Sequence, residues 1–190
     1  MQAYDAKKRI LLHSCCGPCS TAVIRRLIPE FSVTVFFYNP NITDPSEYEH
    51  RKAEQIRFLK EFGAAEQVEI GMIEGSYDPS VYYNAVRGLE QAPEGGARCS
   101  RCFFLRLRET ARRVAEGGFD GFDTTLTVSP HKNFDTISAI GKDLAGIWRV
   151  RYLNGNYKKR DGYRESLALS AQYGLYRQNY CGCSFSRRDP

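Results

Sequence analysis

The chain has 190 residues, 42% of them hydrophobic and 26% charged, the balance of a folded globular protein and not of a disordered or fibrous one. That length predicts a single domain over 1–190, able to bury a core without disulfide staples. No apolar run approaches the roughly 18 residues of a membrane helix. The opening MQAYDAKKR leads into too short an apolar run for a secretory signal. The excess of 27 basic over 22 acidic side chains favours a polyanionic partner without demanding one.

In chain order, Arg9–His13 (RILLH) reads as a short apolar strand. Gly17-Pro18 then breaks the chain before a helix from Cys19 to Leu27. Val33–Tyr38 (VTVFFY) is β-branched and aromatic throughout, as in a strand covered on both faces. The spacing of Tyr48, Ala53, Ile56, Leu59 and Phe62 predicts a helix over Pro45–Phe62, with Asp44 or Ser46 at its cap. Gln67–Ile73 is a third strand, Gly88–Ala97 a Gly- and Pro-rich loop, and Arg101–Glu116 a basic helix closed by Gly117-Gly118. A fourth strand at Asp123–Ser129 and a helix at Phe134–Ala145 follow. Alternation of this kind implies an α/β fold, a mostly parallel sheet with helices on both faces.

The seven cysteines are an odd number in a chain without an export signal, so the reducing cytoplasm and metal or redox chemistry become the expectation. They fall in three clusters, Cys15/Cys16/Cys19, Cys99/Cys102 and Cys181/Cys183, whereas core-filling cysteines would be scattered. The first cluster follows the first strand, where open α/β sheets place their working crevice. Cys99-x-x-Cys102 opens a helix, where free N–H groups and the dipole favour thiolate. Four thiolates from two remote loops suit an iron-sulfur cluster at least as well as zinc.

The segments HSCCGPCS at 13–20, YNPNI at 38–42, Glu47-Tyr48, RCSRCF at 98–103, Arg106-Leu107, TTLTVSP at 124–130 with Lys132-Asn133, and YRQNYCGCS at 176–184 together resemble the QueH family of cobalamin-independent epoxyqueuosine reductases. The resemblance runs from about residue 9 to 186, with no departure at a cysteine. It implies a fold similar to the adenine-nucleotide alpha-hydrolase group and the two-electron reduction of epoxyqueuosine to queuosine at the wobble position of tRNA. It also implies a 4Fe-4S cluster with an additional mononuclear iron. Cysteines stand where nucleotide-using relatives of that fold carry a Gly-rich phosphate loop. Within this frame Cys15, Cys16, Cys99 and Cys102 are the expected cluster ligands. Cys19, Cys181 and Cys183 are left for the second iron, or Cys181 and Cys183 for a redox-active disulfide. The electron donor is not identified by the sequence.

His13 is a candidate proton donor or ligand orienter, with a backbone-bonded histidine the plainer alternative. Glu47 and Asp44 could serve metal or proton transfer, although Asp44 reads better as a cap. Tyr38, Asn39 and Asn41 could face the nucleoside, or simply make a turn. Arg101, Arg106, Lys158, Lys159 and Arg160 are candidate RNA-phosphate contacts, and Tyr157, Tyr163 and Tyr176 candidate stacking surfaces. Two other classes stay open from the residues alone: a zinc-stabilised RNA-binding module and a thiol-disulfide oxidoreductase.

Overall fold

The computed structural model describes residues 7–187, so the first six residues of the opening basic segment lie outside it. Four parallel strands, β1 (Lys8–Ser14), β2 (Phe31–Phe37), β3 (Gly71–Glu74) and β4 (Gly121–Thr124), form one sheet in the order β3-β2-β1-β4. Six α-helices connect and follow them: α1 (Gly17–Leu27), α2 (Pro45–Glu66), α3 (Pro79–Ala85), α4 (Ala97–Glu116), α5 (Phe134–Trp148) and α6 (Gly162–Gln172). The chain steps outward from β1 through β2 to β3 and returns to place β4 on the other side of β1, so the strand order reverses there. Crevices form at such switch points, outside the carboxyl ends of the strands.

Side chains alternate across the sheet with the strand period of two. Leu11 and Phe36 face a core built with Phe103, Leu107, Ala111 and Val114 of α4 and Ile137 and Leu144 of α5. Their neighbours Leu12, Val33 and Val35 face Val23 and Ile24 of α1 and Phe58 and Phe62 of α2. The expected α/β architecture, with helices on both faces, is therefore present. Among the described residues no helix is long and apolar enough to cross a membrane.

Several boundaries move for local reasons. Pro18 sits inside the first turn of α1, where its missing N–H costs nothing, so the helix starts at Gly17. α2 runs on to Glu66 and ends where Gln67 adopts φ 54°, which shortens the expected third strand to Gly71–Glu74. The fourth strand stops at Thr124 because its hydroxyl accepts the Leu126 N–H and starts a 3-10 turn over Thr125–Val128. α6 lies in a stretch to which the sequence reading gave no element.

Candidate metal centre

Cys15 follows directly on β1, Cys16 is the extended residue before α1, and Cys19 lies in that helix's first turn. Strand end and helix start thus fold three thiols together, their sulfurs all within 4.8 Å of one another and the Cys15 and Cys16 sulfurs 3.9 Å apart. Hydrogen bonds from Cys16 and Cys19 hold the Cys15 pKa well below its ordinary value. The donors are correspondingly harder to ionise: Cys16 is pushed up to about 12 and Cys19 well above normal. The Gln178 side-chain N–H reaches the Cys16 sulfur at 3.1 Å.

The other four cysteines meet around the start of α4. Cys99 accepts the Gly95 N–H at 3.2 Å, and Cys102 lies in the next turn, buried. The tail crosses to them under several restraints. The buried Arg51 guanidinium donates to the carbonyls of Tyr180 (3.3 Å) and Cys181 (3.2 Å) and pairs with Glu47 at 2.6 Å. Thr43 receives the Ser184 N–H on its hydroxyl and donates its own N–H to the Gly182 carbonyl. Gly182 itself has φ +119°, and a Cβ there would come within 3.0 Å of Ile42 and 3.2 Å of Arg51. Cys99, Cys102, Cys181 and Cys183 then line one small cavity together with Asn41 and Arg106.

Three residues at that cavity, Arg106, Asn41 and Arg98 through its Nε, have buried polar atoms without partners among the described residues. The Arg106 residue is 1% exposed; its Nε donates to the Cys102 carbonyl, while Nη2 has no hydrogen-bond partner. Both amide atoms of Asn41 are likewise unsatisfied. Burial disfavours the Arg106 charge, but the cysteines 102, 181, 15 and 99 offset this and hold its pKa above the ordinary value. A guanidinium and an amide left over beside these four sulfurs offer donors to an anionic group, and a thiolate-bound iron-sulfur cluster is one.

The whole molecule can be placed among known proteins. The family model described as Epoxyqueuosine reductase QueH matches residues 10–189. The protein of that name from Streptococcus pyogenes serotype M1 is 42% identical over 184 residues, covering 97% of this chain and 72% of the relative. Its counterpart in Staphylococcus epidermidis is 38% identical over 95% of this chain and 76% of its own length. The chain belongs to the epoxyqueuosine reductase QueH family. Among solved structures, the U34-tRNA thiolase NcsA from Methanococcus maripaludis with its 4Fe-4S cluster aligns at TM-score 0.52 over 97% of this chain and 63% of that one. At 14% identity this is a likeness of fold.

Within this QueH member the structure sorts the candidates read from sequence. It groups the sulfurs as Cys15/Cys16/Cys19 and Cys99/Cys102/Cys181/Cys183, and the two groups meet at Arg106 and at Cys181, which also lines the neighbouring cleft. That cleft, of about 540 Å³, is lined by Cys15, Cys19 and Cys181 with Lys132, Tyr163 and Arg177. Burial opposes the charge of Lys132, yet Cys181, Cys15 and Cys19 outweigh it and raise its pKa. Beside the cleft an open depression is lined by His131, Lys132, Asn156, Lys158 and Lys159.

His13 does not reach the cleft. It is fully buried, its Nε2 donates to the Tyr38 carbonyl at 3.3 Å and its Nδ1 bonds the Thr124 hydroxyl at 2.9 Å. Burial and the Arg106 charge lower its pKa to about 3, and its two hydrogen bonds tie β1 to the chain at the ends of β2 and β4. Arg106 is no phosphate contact, being buried among the sulfurs, whereas Arg101, Lys159 and Arg160 are exposed. Lys158 is half-buried and donates to the Lys132 carbonyl. Tyr157 is no stacking surface either: its hydroxyl donates to the buried Asp123 at 2.6 Å. Tyr176 stacks on His50 and donates to Glu47, leaving Tyr163 at the cleft. Glu47 is committed to Arg51 and Asp44 caps α2. Asn39 donates to the Ser14 carbonyl and fixes the turn. Sequence reasoning missed Arg51, whose position in a helix of mixed charge gives no hint of its burial. It also missed Glu94, which borders both cavities.

Proposed function

We propose that this chain reduces epoxyqueuosine at the wobble position of tRNA to queuosine, taking up two electrons and two protons and releasing the epoxide oxygen as water. The observation that carries this reading is the gathering of all seven cysteines at one end of the sheet, around the unpartnered Arg106 and Asn41 and beside an open cleft. Cys15, Cys16, Cys99 and Cys102 are the ligands assigned to a 4Fe-4S cluster. In support, Cys99 packs against the core group that contains Cys15 and Cys16, and Arg106 offers one positive charge to Cys102, Cys15 and Cys99 together. Cys19, Cys181 and Cys183 remain for an additional iron, or the last two for a redox-active disulfide. When bound, these groups supply low-potential electrons and a Lewis acid for the epoxide oxygen.

The protein's own side chains do the rest. Arg106 and Asn41 donate into the sulfur cavity and balance buried negative charge. Arg51 fixes the backbone on which Cys181 rides. Lys132, at the cleft, stabilises negative charge beside Cys15, Cys19 and Cys181. The cleft has room for one extruded nucleoside, the form in which RNA bases are most readily read. Its basic surroundings suit the flanking phosphates.

Anaerobic reconstitution with iron and sulfide tests the assignment. The expected product is brown, Cys16→Ser or Cys102→Ser loses most cluster iron, and the Cys181→Ser/Cys183→Ser double variant keeps the colour but loses turnover. Full iron in both single variants would overturn the ligand set. Colourless protein with stoichiometric zinc would move the reading to a zinc-stabilised RNA-binding module.

A further inference from the structure

We propose that Glu94 is a specificity-determining residue of the cleft, the carboxylate that receives the substrate's secondary ammonium group. The inference rests on the reading of the substrate as epoxyqueuosine. Glu94 lies on the loop before α4 and borders both the 540 Å³ cleft and the sulfur cavity of Cys99, Cys102, Cys181 and Cys183. Among the described residues it is the one carboxylate lining that cleft. Among the described residues it forms no ion pair. The other charged side chains of the lining, Lys132 and Arg177, are cationic, and Arg106 adds a third positive charge at the adjoining cavity.

Epoxyqueuosine joins its epoxycyclopentane ring to the 7-methylene of deazaguanine through a secondary amine, which is protonated at neutral pH. The nitrogen sits on the ring carbon next to the epoxide. Lys132 and Arg177 repel a cation that enters the cleft, and a carboxylate facing it supplies a partner of opposite charge. Glu94 stands at the junction of cleft and sulfur cavity, so a charge-assisted hydrogen bond there holds the epoxide at the edge of the sulfur group, two bonds away from the anchored nitrogen. The same contact favours a wobble base that carries the ammonium over one that lacks it, because only the first gives the exposed Glu94 a partner.

The iron-loaded full chain is tested for binding to two tRNAs that differ only at the wobble position, one carrying 7-aminomethyl-7-deazaguanine and the other 7-cyano-7-deazaguanine. Wild-type protein is expected to prefer the aminomethyl form by at least about tenfold, and Glu94→Gln to bind both within about twofold. Glu94→Asp should recover part of the preference. With epoxyqueuosine tRNA, Glu94→Gln should raise KM about tenfold, change kcat less than about threefold and leave iron content unchanged. Absence of a preference in the wild type, or its retention in Glu94→Gln, overturns the inference. So does a collapse of kcat with KM and preference unchanged, which would make Glu94 a proton donor. Failure of iron-loaded wild type to reduce epoxyqueuosine, with the binding preference intact, overturns the reductase reading while the ammonium contact stands.

Discussion

Replacing Arg51 by Met removes the restraint that ties the tail to α2. Arg51 and Glu47 pair at 2.6 Å with side chains 1% and 12% exposed, so the variant strands a largely buried carboxylate. Breaking a buried pair from one side costs about 3–5 kcal/mol. The Tyr176 hydroxyl still donates to Glu47, which places the cost at the lower end, while the Tyr180 and Cys181 carbonyls each lose a donor worth about 1 kcal/mol. About 5 kcal/mol is therefore expected, a large share of the roughly 5–15 kcal/mol that holds such a domain together. Urea unfolding of the reduced, metal-free chain measures it. Native-state labelling of Cys181 and Cys183 should meanwhile accelerate more than that of Cys15 and Cys16, because the tail loses its anchor while the strand-end loop keeps its own. A loss below about 1 kcal/mol with labelling unchanged would refute the argument that Arg51 governs the tail.

Burial raises the Asp123 carboxyl from its ordinary 3.8 to about 7, against the hydrogen bonds from Tyr157, Thr124 and Gly155. The folded state thus holds a proton that the unfolded chain releases, so stability falls as pH rises from about 4 to about 7 and levels off above, by at most about 4 kcal/mol. Asp123→Asn should flatten that slope, and equal pH dependence in the two proteins would contradict it. Lys158→Glu with Lys159→Glu should raise KM for tRNA and lower the slope of log K against log salt by about one to two, with the visible spectrum unchanged. Salt-independent binding would reduce the basic depression to a solvated face. Gly182→Ala, forced into a left-handed backbone and against Ile42, should destabilise the tail by about 1–2 kcal/mol, read as faster labelling of Cys183 than in the parent.

The parallel sheet and its helices were legible because apolar runs such as VTVFFY are covered from both sides and carry their period openly. The clustering of cysteines was legible for a related reason, since strand ends and helix starts are sequence-local features. What the sequence hid was depth. Arg106 sits in a run of basic residues on α4 and reads as surface charge, but its place on the helix turns it inward to the sulfurs. His13 and Tyr157 likewise look available until their partners, Thr124 and Asp123, arrive from more than thirty residues away. Grouping of the sulfurs depends on where the tail crosses α4, a tertiary matter on which local spacing is silent.

The order β3-β2-β1-β4 hangs Cys15 and Cys16 on an interior strand, paired along both sides, while Cys181 and Cys183 sit on an irregular tail held by a few side-chain bonds. Interior strands open only with the whole domain, whereas a tail of this kind opens at a fraction of that free energy. The two halves of the thiol set therefore have different lifetimes in the closed state. A group held between the two halves would therefore exchange through the tail's side with the sheet intact.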